Sequence, residues 1–246
     1  MTPGRNARLI IFGGFALVVG LTLVPAVSYG QTEFGIGLAA SSLGAGIQAA
    51  VSATKYSNVR AGFNAFSYSD TFTKDGINYS GTLKLRSAQI TYDQYFHGLG
   101  GFHISPGVLL YNGNSGNATA NIPGGQSFTL GNTTYYSGAA NPVNGTGAIT
   151  SSKAAPMLLS GFGNLLPRSS RHFGINFEVG VVFQGSPNAK LNLAGTSCIT
   201  PATGCVNTAT DPGVQSNVQA EQTKINNDLN PFKYYPVVSL GFSYKF

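Results

Sequence analysis

The sequence predicts an all-β protein, namely an eight-stranded antiparallel up-and-down transmembrane β-barrel with two long external loops. Three observations support this class. Apolar and polar residues alternate with a period of two through most of the chain, as in strands with two different faces. Charged residues make up only 9% of the 246 residues, against about 25% in typical soluble domains. The connections between the predicted strands alternate between short and long, as expected for a barrel whose two ends differ.

The first residues have the pattern of a secretory signal peptide. Arg5 and Arg8 precede an apolar stretch from Leu9 to Val24, which small residues follow. This stretch is shorter than the roughly 20 residues that a membrane-spanning helix needs. The expected division of the chain is a signal peptide at 1–30, cleaved after Gly30 or alternatively after Ala26, and a barrel domain at 31–246.

Alternating segments from Glu33 onward are separated by clusters of Gly, Asn, Ser and Pro. The clearest runs from His172 to Gln184, where Phe173 begins an apolar face and Glu178 lies on the opposite, small or polar face. Such a strand suits a wall with lipid outside and a filled polar interior. Strands are predicted at about 33–41, 43–54, 57–72, 77–96, 101–114, 153–166, 172–185 and 233–246.

The alternation changes phase in the fourth predicted strand. Leu85 lies opposite Arg86, whereas Ile90 falls on the Arg86 side. A β-bulge near Ser87 or Ala88 would restore the register, because it inserts one extra residue into the strand. We therefore predict a bulge at this point.

Charged residues on the inward faces are expected to pair, because an eight-stranded barrel is just wide enough for side chains to fill. Two interpretations of these charges stay open. They hold the strands in register as an ion-pair cluster, or a remaining positive potential favours anions and gates a narrow path. The predicted lumen charge cluster consists of Arg60, Lys84, Arg86 and Glu178.

The last predicted strand carries an apolar face through Phe242, Tyr244 and Phe246. This segment, Leu240-Gly241-Phe242-Ser243-Tyr244-Lys245-Phe246, resembles the carboxy-terminal signature of Gram-negative outer-membrane β-barrels. The resemblance implies that the barrel-assembly machinery reads these three aromatic residues as an assembly signal. In architecture, the chain resembles small eight-stranded barrels typified by the OmpA membrane domain. That resemblance implies a location in the cell outer membrane, in contact with outer-membrane lipid.

The two long connections, 115–152 and 186–232, are predicted to be external loops. Cys198 and Cys205 lie in the second one and are expected to form a local disulfide, because an exported chain meets an oxidising environment. In the same loop, Asp211-Pro212 has the pattern of a helix start, and Asn230-Pro231 is expected to stop that helix.

The sequence predicts no cofactor, no metal site and no nucleic-acid interface, since the bases are scattered and no histidine lies near the two cysteines. A hydrolase at the outer rim is the least favoured function, and we predict that the protein is not an enzyme. The reason is that the histidines and the outer acids lie at opposite ends of the predicted strands: His97, His103 and His172 against Asp70 and Asp75.

We expect a barrel with a structural role or with limited, porin-like passage of small solutes. The alternative is an adhesion or receptor module that binds an external ligand of unknown identity. In that case the loops 115–152 and 186–232 carry the function, because exposed loops on a rigid scaffold often do.

Overall fold

The computed structural model describes residues 32–168, 170–201 and 203–246, so the predicted signal peptide at 1–30 lies outside the described residues. Within these ranges the chain forms fifteen strands and one α-helix. A 3₁₀ turn at Asn230–Lys233 joins the helix to the last strand. In chain order the elements are β1 (Phe34–Ser41), β2 (Gly44–Thr54), β3 (Ser57–Lys74), β4 (Ile77–Tyr95), β5 (His103–Asn112), β6 (Ser115–Ile122), β7 (Ser127–Leu130), β8 (Thr133–Ser137), β9 (Val143–Thr150), β10 (Ala155–Gly163), β11 (Phe173–Phe183), β12 (Asn188–Ala194), β13 (Thr196–Cys198), β14 (Cys205–Asn207), α1 (Pro212–Leu229) and β15 (Tyr234–Lys245).

Eight strands form a ring of antiparallel pairings, and they lie where the sequence predicts strands. The pairings run β1–β2, β2–β3, β3–β4, β4–β5, β5–β10, β10–β11, β11–β15 and β15–β1. Each of these strands therefore has two neighbours, and the ring has no unpaired edge of the kind that templates association. We call the end with the turns at 42–43 and 75–76 the upper end.

The main sheet has eleven strands rather than the eight predicted. The upper half of β4 leaves the ring and pairs with β6, which is followed by β9 and β12. A second, four-stranded sheet consists of β7, β8, β13 and β14. The prediction that 115–152 and 186–232 are loops is therefore wrong. We call β6, β9, β12 and the upper halves of β3 and β4 the outer sheet, and the second sheet together with α1 the cap.

The apolar face of β3 and β4 changes sides at the level of Ala65 and Arg86, which pair with each other. Below this level the outer face is apolar and the inner face polar, whereas above it the inner face carries most of the apolar residues. On β3 the outer face changes from Val59, Ala61, Phe63 and Ala65 to Ser67, Ser69, Thr71 and Thr73, while the inner face changes from Asn58, Arg60 and Asn64 to Phe66, Tyr68 and Phe72.

No bulge in β4 accompanies this change. The β3–β4 pairing is unbroken from Ser57–Gln94 to Lys74–Ile77. The irregularity lies in the β4–β5 ladder, where Leu110 of β5 is the extra residue opposite Ala88 and Gln89. The predicted bulge in β4 is therefore wrong, because the phase change reflects a change of surroundings along a regular strand.

The predicted helix in the second long connection is confirmed. Asp211 caps α1 by accepting a hydrogen bond from the backbone N–H of Val214 at 2.9 Å, as the helix prediction requires.

The inner face of the outer sheet packs against the cap in a separate apolar core. The core consists of Ile77, Ile122, Phe128, Leu130, Tyr135, Val143, Val214 and Val218.

The disulfide Cys198–Cys205 joins β13 to β14 across a sequence separation of 7. Replacing both cysteines by serine removes a cross-link that the chain-entropy model values at roughly 2–3 kcal/mol for so short a loop. We expect faster protease cleavage in the cap and unchanged unfolding of the ring, because the two regions have separate apolar cores. Limited proteolysis with mass spectrometry tests this, and an equal loss of ring stability would contradict it.

Candidate functional site inside the ring

Arg60 of β3 lies inside the ring with 2% of its surface exposed. Its guanidinium group has five N–H donors, and each has an acceptor. Nε donates to Thr91 Oγ1 at 3.2 Å, and Nη1 donates to Gln48 Oε1 at 3.3 Å and to Glu178 Oε2 at 2.8 Å. Nη2 donates to Asp93 Oδ1 at 2.9 Å and also to Glu178 Oε1. The arginine is therefore fully bonded without water.

His103 of β5 completes the cluster. Its Nε2 lies 3.0 Å from Glu178 Oε1, and its Nδ1 lies 3.2 Å from the carbonyl oxygen of Gly101. Each ring nitrogen thus has one oxygen partner, and the imidazole links Glu178 to the backbone at the start of β5. The positive charge of Arg60 lies against the carboxylates of Asp93 and Glu178.

The cluster connects five of the eight ring strands. Gln48 lies on β2, Arg60 on β3, Asp93 on β4, His103 on β5 and Glu178 on β11. The carboxylates and the imidazole are each 1% exposed. Because buried charges are costly unless they are paired and hydrogen-bonded, every member depends on the others.

Two of the four predicted cluster residues lie together, and two do not. Arg60 and Glu178 form the buried ion pair, whereas Lys84 and Arg86 are exposed on the outer face of β4. The placement of Lys84 and Arg86 in the lumen is wrong, because it rested on the bulge that β4 does not contain.

Asp93 and His103 are the ionisable cluster members that sequence reasoning missed. The uncharged partners Gln48 and Thr91 were not predicted either. Uninterrupted alternation along β4 puts Asp93 on the same face as Gln89 and Thr91, so a regular strand would have identified it. No local signal identifies His103, because its position depends on the pairing of β5 with both β4 and β10.

An apolar layer fills the ring above the charge cluster. Leu109 and Val182 are 0% exposed and Leu43 is 1% exposed, so solvent does not reach these side chains. Side chains of this layer come from the turn before β2 and from four ring strands. The layer consists of Leu43, Leu109, Ala155, Met157, Leu159, Val182 and Val237.

The connection between β10 and β11 fills the lower end of the ring. Leu165 and Leu166 pack against Ala50 of β2. Beside them, Lys245 Nζ donates to Glu33 Oε1 at 2.8 Å, and Arg168 Nη2 donates to Asn58 Oδ1 at 2.6 Å. The ring interior is therefore occupied by side chains at both ends and in the middle.

The three predicted assembly-signal residues share the outer face at the lower end of β15. Phe242, Tyr244 and Phe246 are 56%, 39% and 66% exposed. The Phe246 ring stacks on Phe34 with ring centres 5.7 Å apart. An aromatic group thus lies outside the seam where the last strand meets the first.

A cavity of about 500 Å³ lies between the outer sheet and β7. Its lining includes the apolar side chains of Tyr79, Phe128, Leu191 and Leu193, with hydroxyl groups such as Thr119 beside them. The volume falls in the usual range of small-molecule sites. It forms a second candidate site, separate from the charge cluster.

In the described ranges, the remaining histidines and acidic residues considered in the sequence analysis do not come together in a site. His97 and His172 lie at the lower end, while Asp70 and Asp75 lie in the outer sheet and its turn. Among the described residues no group of three or more His, Cys, Asp or Glu is placed to hold a metal ion. No helix in the same ranges is long and apolar enough to cross a membrane.

A ring of antiparallel strands with a filled polar interior, continued by an outer sheet, is the class of fold that the structure defines. No protein-family model and no curated protein matches the chain. Among solved structures it is similar to Acinetobacter baumannii CarO, with a TM-score of 0.55 and 24% identity over 86% of this chain and 97% of that one. It is also similar to Acinetobacter baumannii CarO2, with a TM-score of 0.56 and 20% identity over 88% and 100%. At these identities the likeness shows the fold alone.

Replacing Arg60 by Met should destabilise the ring strongly. Removal of one partner of a buried ion pair costs about 3–5 kcal/mol, because the remaining charges stay buried. Glu178→Gln should cost less, since Arg60 keeps Asp93 as a partner. The double variant should lose less than the sum of the two, because the residues are in contact. Urea unfolding in detergent micelles measures these differences.

The control for this series is Lys190→Gln, which removes an exposed charge from β12. It should leave the unfolding free energy nearly unchanged, as most surface substitutions do. Equal losses for Arg60→Met and Lys190→Gln would mean that the buried cluster does not hold the ring together.

Proposed function

We propose that the ring is a closed transmembrane barrel of a Gram-negative outer membrane. The outer side chains of β11 support this, since Phe173, Ile175 and Phe177 are 77%, 58% and 47% exposed. The strand has 11 residues, which span about 33 Å, or about 25 Å across a membrane at the usual tilt. A soluble protein rarely exposes a continuous apolar band of this size.

Aromatic residues at both edges of the band fit this proposal, because membrane barrels carry aromatic girdles at the two interfaces. At the lower edge, Phe34 stacks on Phe246 and Phe173 packs against Tyr244. At the upper edge, Phe183 packs edge-on against Tyr234. The barrel-assembly machinery would then contact the aromatic side chains at the end of β15. Outer-membrane lipid would surround the apolar band.

The connections give the orientation. At the lower end the strands are joined by the short segments 55–56, 96–102 and 164–172, whereas the outer sheet and cap extend from the upper end. Outer-membrane barrels have short periplasmic turns and long external connections. The outer sheet and cap would therefore face the cell exterior.

The role that we propose for the barrel is structural: it anchors the outer sheet and cap at the cell surface. The observation that carries this is the filled interior, in which an apolar layer lies above a buried, hydrogen-bonded cluster. Solutes would pass only if Leu43 and its neighbours moved aside. Limited passage is therefore less well supported than anchoring.

A receptor role for the external part is the second candidate, and the cavity beside β7 favours it. The outer sheet and cap have their own apolar core, and the cavity opens between them. Ordered strands hold its lining residues in place, as binding sites generally require. The ligand would be a small, mainly apolar molecule.

The barrel proposal predicts a heat-dependent shift in gel mobility. The folded, unheated protein should migrate differently from the boiled protein, because a closed barrel stays intact in detergent until it is heated. Protease treatment of whole cells should cut the external part and spare the ring. Identical mobility before and after boiling, or complete digestion, would contradict the proposal.

The structural role predicts no stepwise conductance when the protein is inserted into planar lipid bilayers. The Glu178→Gln variant should also give none, since the apolar layer remains above the altered cluster. Protein-free bilayers supply the baseline. Reproducible unitary steps in the wild-type protein would instead support limited solute passage, and steps in the variant alone would support gating by the cluster.

A further inference from the structure

Lys84 and Arg86 lie side by side on the outer face of β4 without an acidic partner. Both are exposed, and neither is within 4.0 Å of a carboxylate in the described part of the chain. Residues two apart on a strand share a face at a separation of about 7 Å. Two positive charges so close together repel each other, so this surface is suited to an anion from another molecule.

The two bases mark the upper edge of the apolar band. Below them on the same face are Ala88, Ile90 and Tyr92, while Thr82 and other polar residues lie above. Phe96 at the lower edge is ten positions from Arg86, the same separation as between the two ends of β11. Lys84 and Arg86 therefore lie at the level where lipid headgroups meet the barrel.

Polar groups flank the two bases. Lys84 pairs across the sheet with Ser67 of β3 and Ser115 of β6, so hydroxyl groups lie on both sides of it. The side-chain oxygen of Asn114 accepts a hydrogen bond from the backbone N–H of Arg86 at 2.9 Å. The Nδ2 atom of Asn114 is buried and has no acceptor among the described residues. In the described part of the chain, hydroxyl groups thus flank Lys84, and neither base has an acidic side chain beside it.

We propose that Lys84 and Arg86 bind the phosphate groups of glycolipid in the outer leaflet of the membrane. This inference rests on the proposed outer-membrane barrel, which sets the headgroup level. An arginine pairs with phosphate through two parallel hydrogen bonds, and a lysine adds a point charge. Basic residues at a membrane surface attract anionic headgroups within a Debye length. The site would fix the barrel to phosphorylated lipid on the β4 side.

The test uses the full protein, folded in zwitterionic detergent and titrated with diphosphorylated lipid A while thermal unfolding is followed by circular dichroism. A ligand that binds only the folded state raises the midpoint, and the stabilisation grows as RT ln(1 + L/Kd), where L is the free ligand concentration. The wild-type midpoint should rise with lipid concentration. The apparent affinity of Lys84→Gln/Arg86→Gln should be about tenfold lower, since both charge-assisted contacts are lost.

The matched control is Lys74→Gln/Lys224→Gln, which removes two exposed charges from the top of β3 and from α1. This control should bind lipid A like the wild type, and dephosphorylated lipid A should raise the midpoint in neither protein. An equal response to the dephosphorylated lipid, or an equal loss in the control variant, would overturn the inference. A full response to inorganic phosphate alone would also overturn it, because the site would then take free anions.

Heat-dependent gel mobility of the same samples separates the two proposals. A normal shift without phosphate-dependent stabilisation would refute the lipid site and leave the barrel intact. Loss of the shift in the wild-type protein would refute the barrel itself.

Discussion

The bonding of Arg60 is the interaction on which the ring depends. Through its five donors and through Glu178, this side chain links β2, β3, β4, β5 and β11. A one-residue slip of any of these strands would turn a partner out of the interior, because side chains alternate between faces. The cluster therefore selects one register for the ring. Its buried charges are paired and hydrogen-bonded, and these contacts offset part of the cost of removing the charges from water.

Apart from β3 and β4, the ring strands were predictable because each keeps its apolar and polar faces unchanged along its length. β11 and β15 alternate without interruption, and their pairing from Phe173–Tyr244 to Phe183–Tyr234 agrees with the pattern. The prediction of which residues of β4 face inward failed because this strand passes between two environments. A bulge and a change of surroundings leave the same trace in the sequence, a shift in which residues are apolar. Only the pairing with β3 distinguishes them, and this is why Lys84 and Arg86 were placed on the wrong face.

The strands outside the ring could not be predicted, because their sequences lack a clear alternation of apolar and polar residues. β6 reads Ser-Gly-Asn-Ala-Thr-Ala-Asn-Ile, in which glycine and asparagine have low strand propensity and the alternation is weak. Its stability comes from non-local pairing with β4 and β9 and from the cap packed on the inner face of the outer sheet. The helix α1 was predictable for the opposite reason, since Asp211 and Pro212 signal its start locally. Arg60 and Glu178 were likewise identified from local face parity, whereas His103 depends on closure of the ring.

The distribution of charge connects these features to function. Inside the ring, the charges of the central cluster are paired with one another and buried below the apolar layer. On the outside of the ring, the strands expose a band of apolar side chains. At the upper edge of this band, Lys84 and Arg86 carry positive charges that no acidic residue of the described chain pairs with. Above the band lies the cavity beside β7, which has room for a ligand. If the ring is the outer-membrane barrel that we propose, it would act on its surroundings through the outer sheet, the cap and its lipid contacts, with the filled ring as a rigid support.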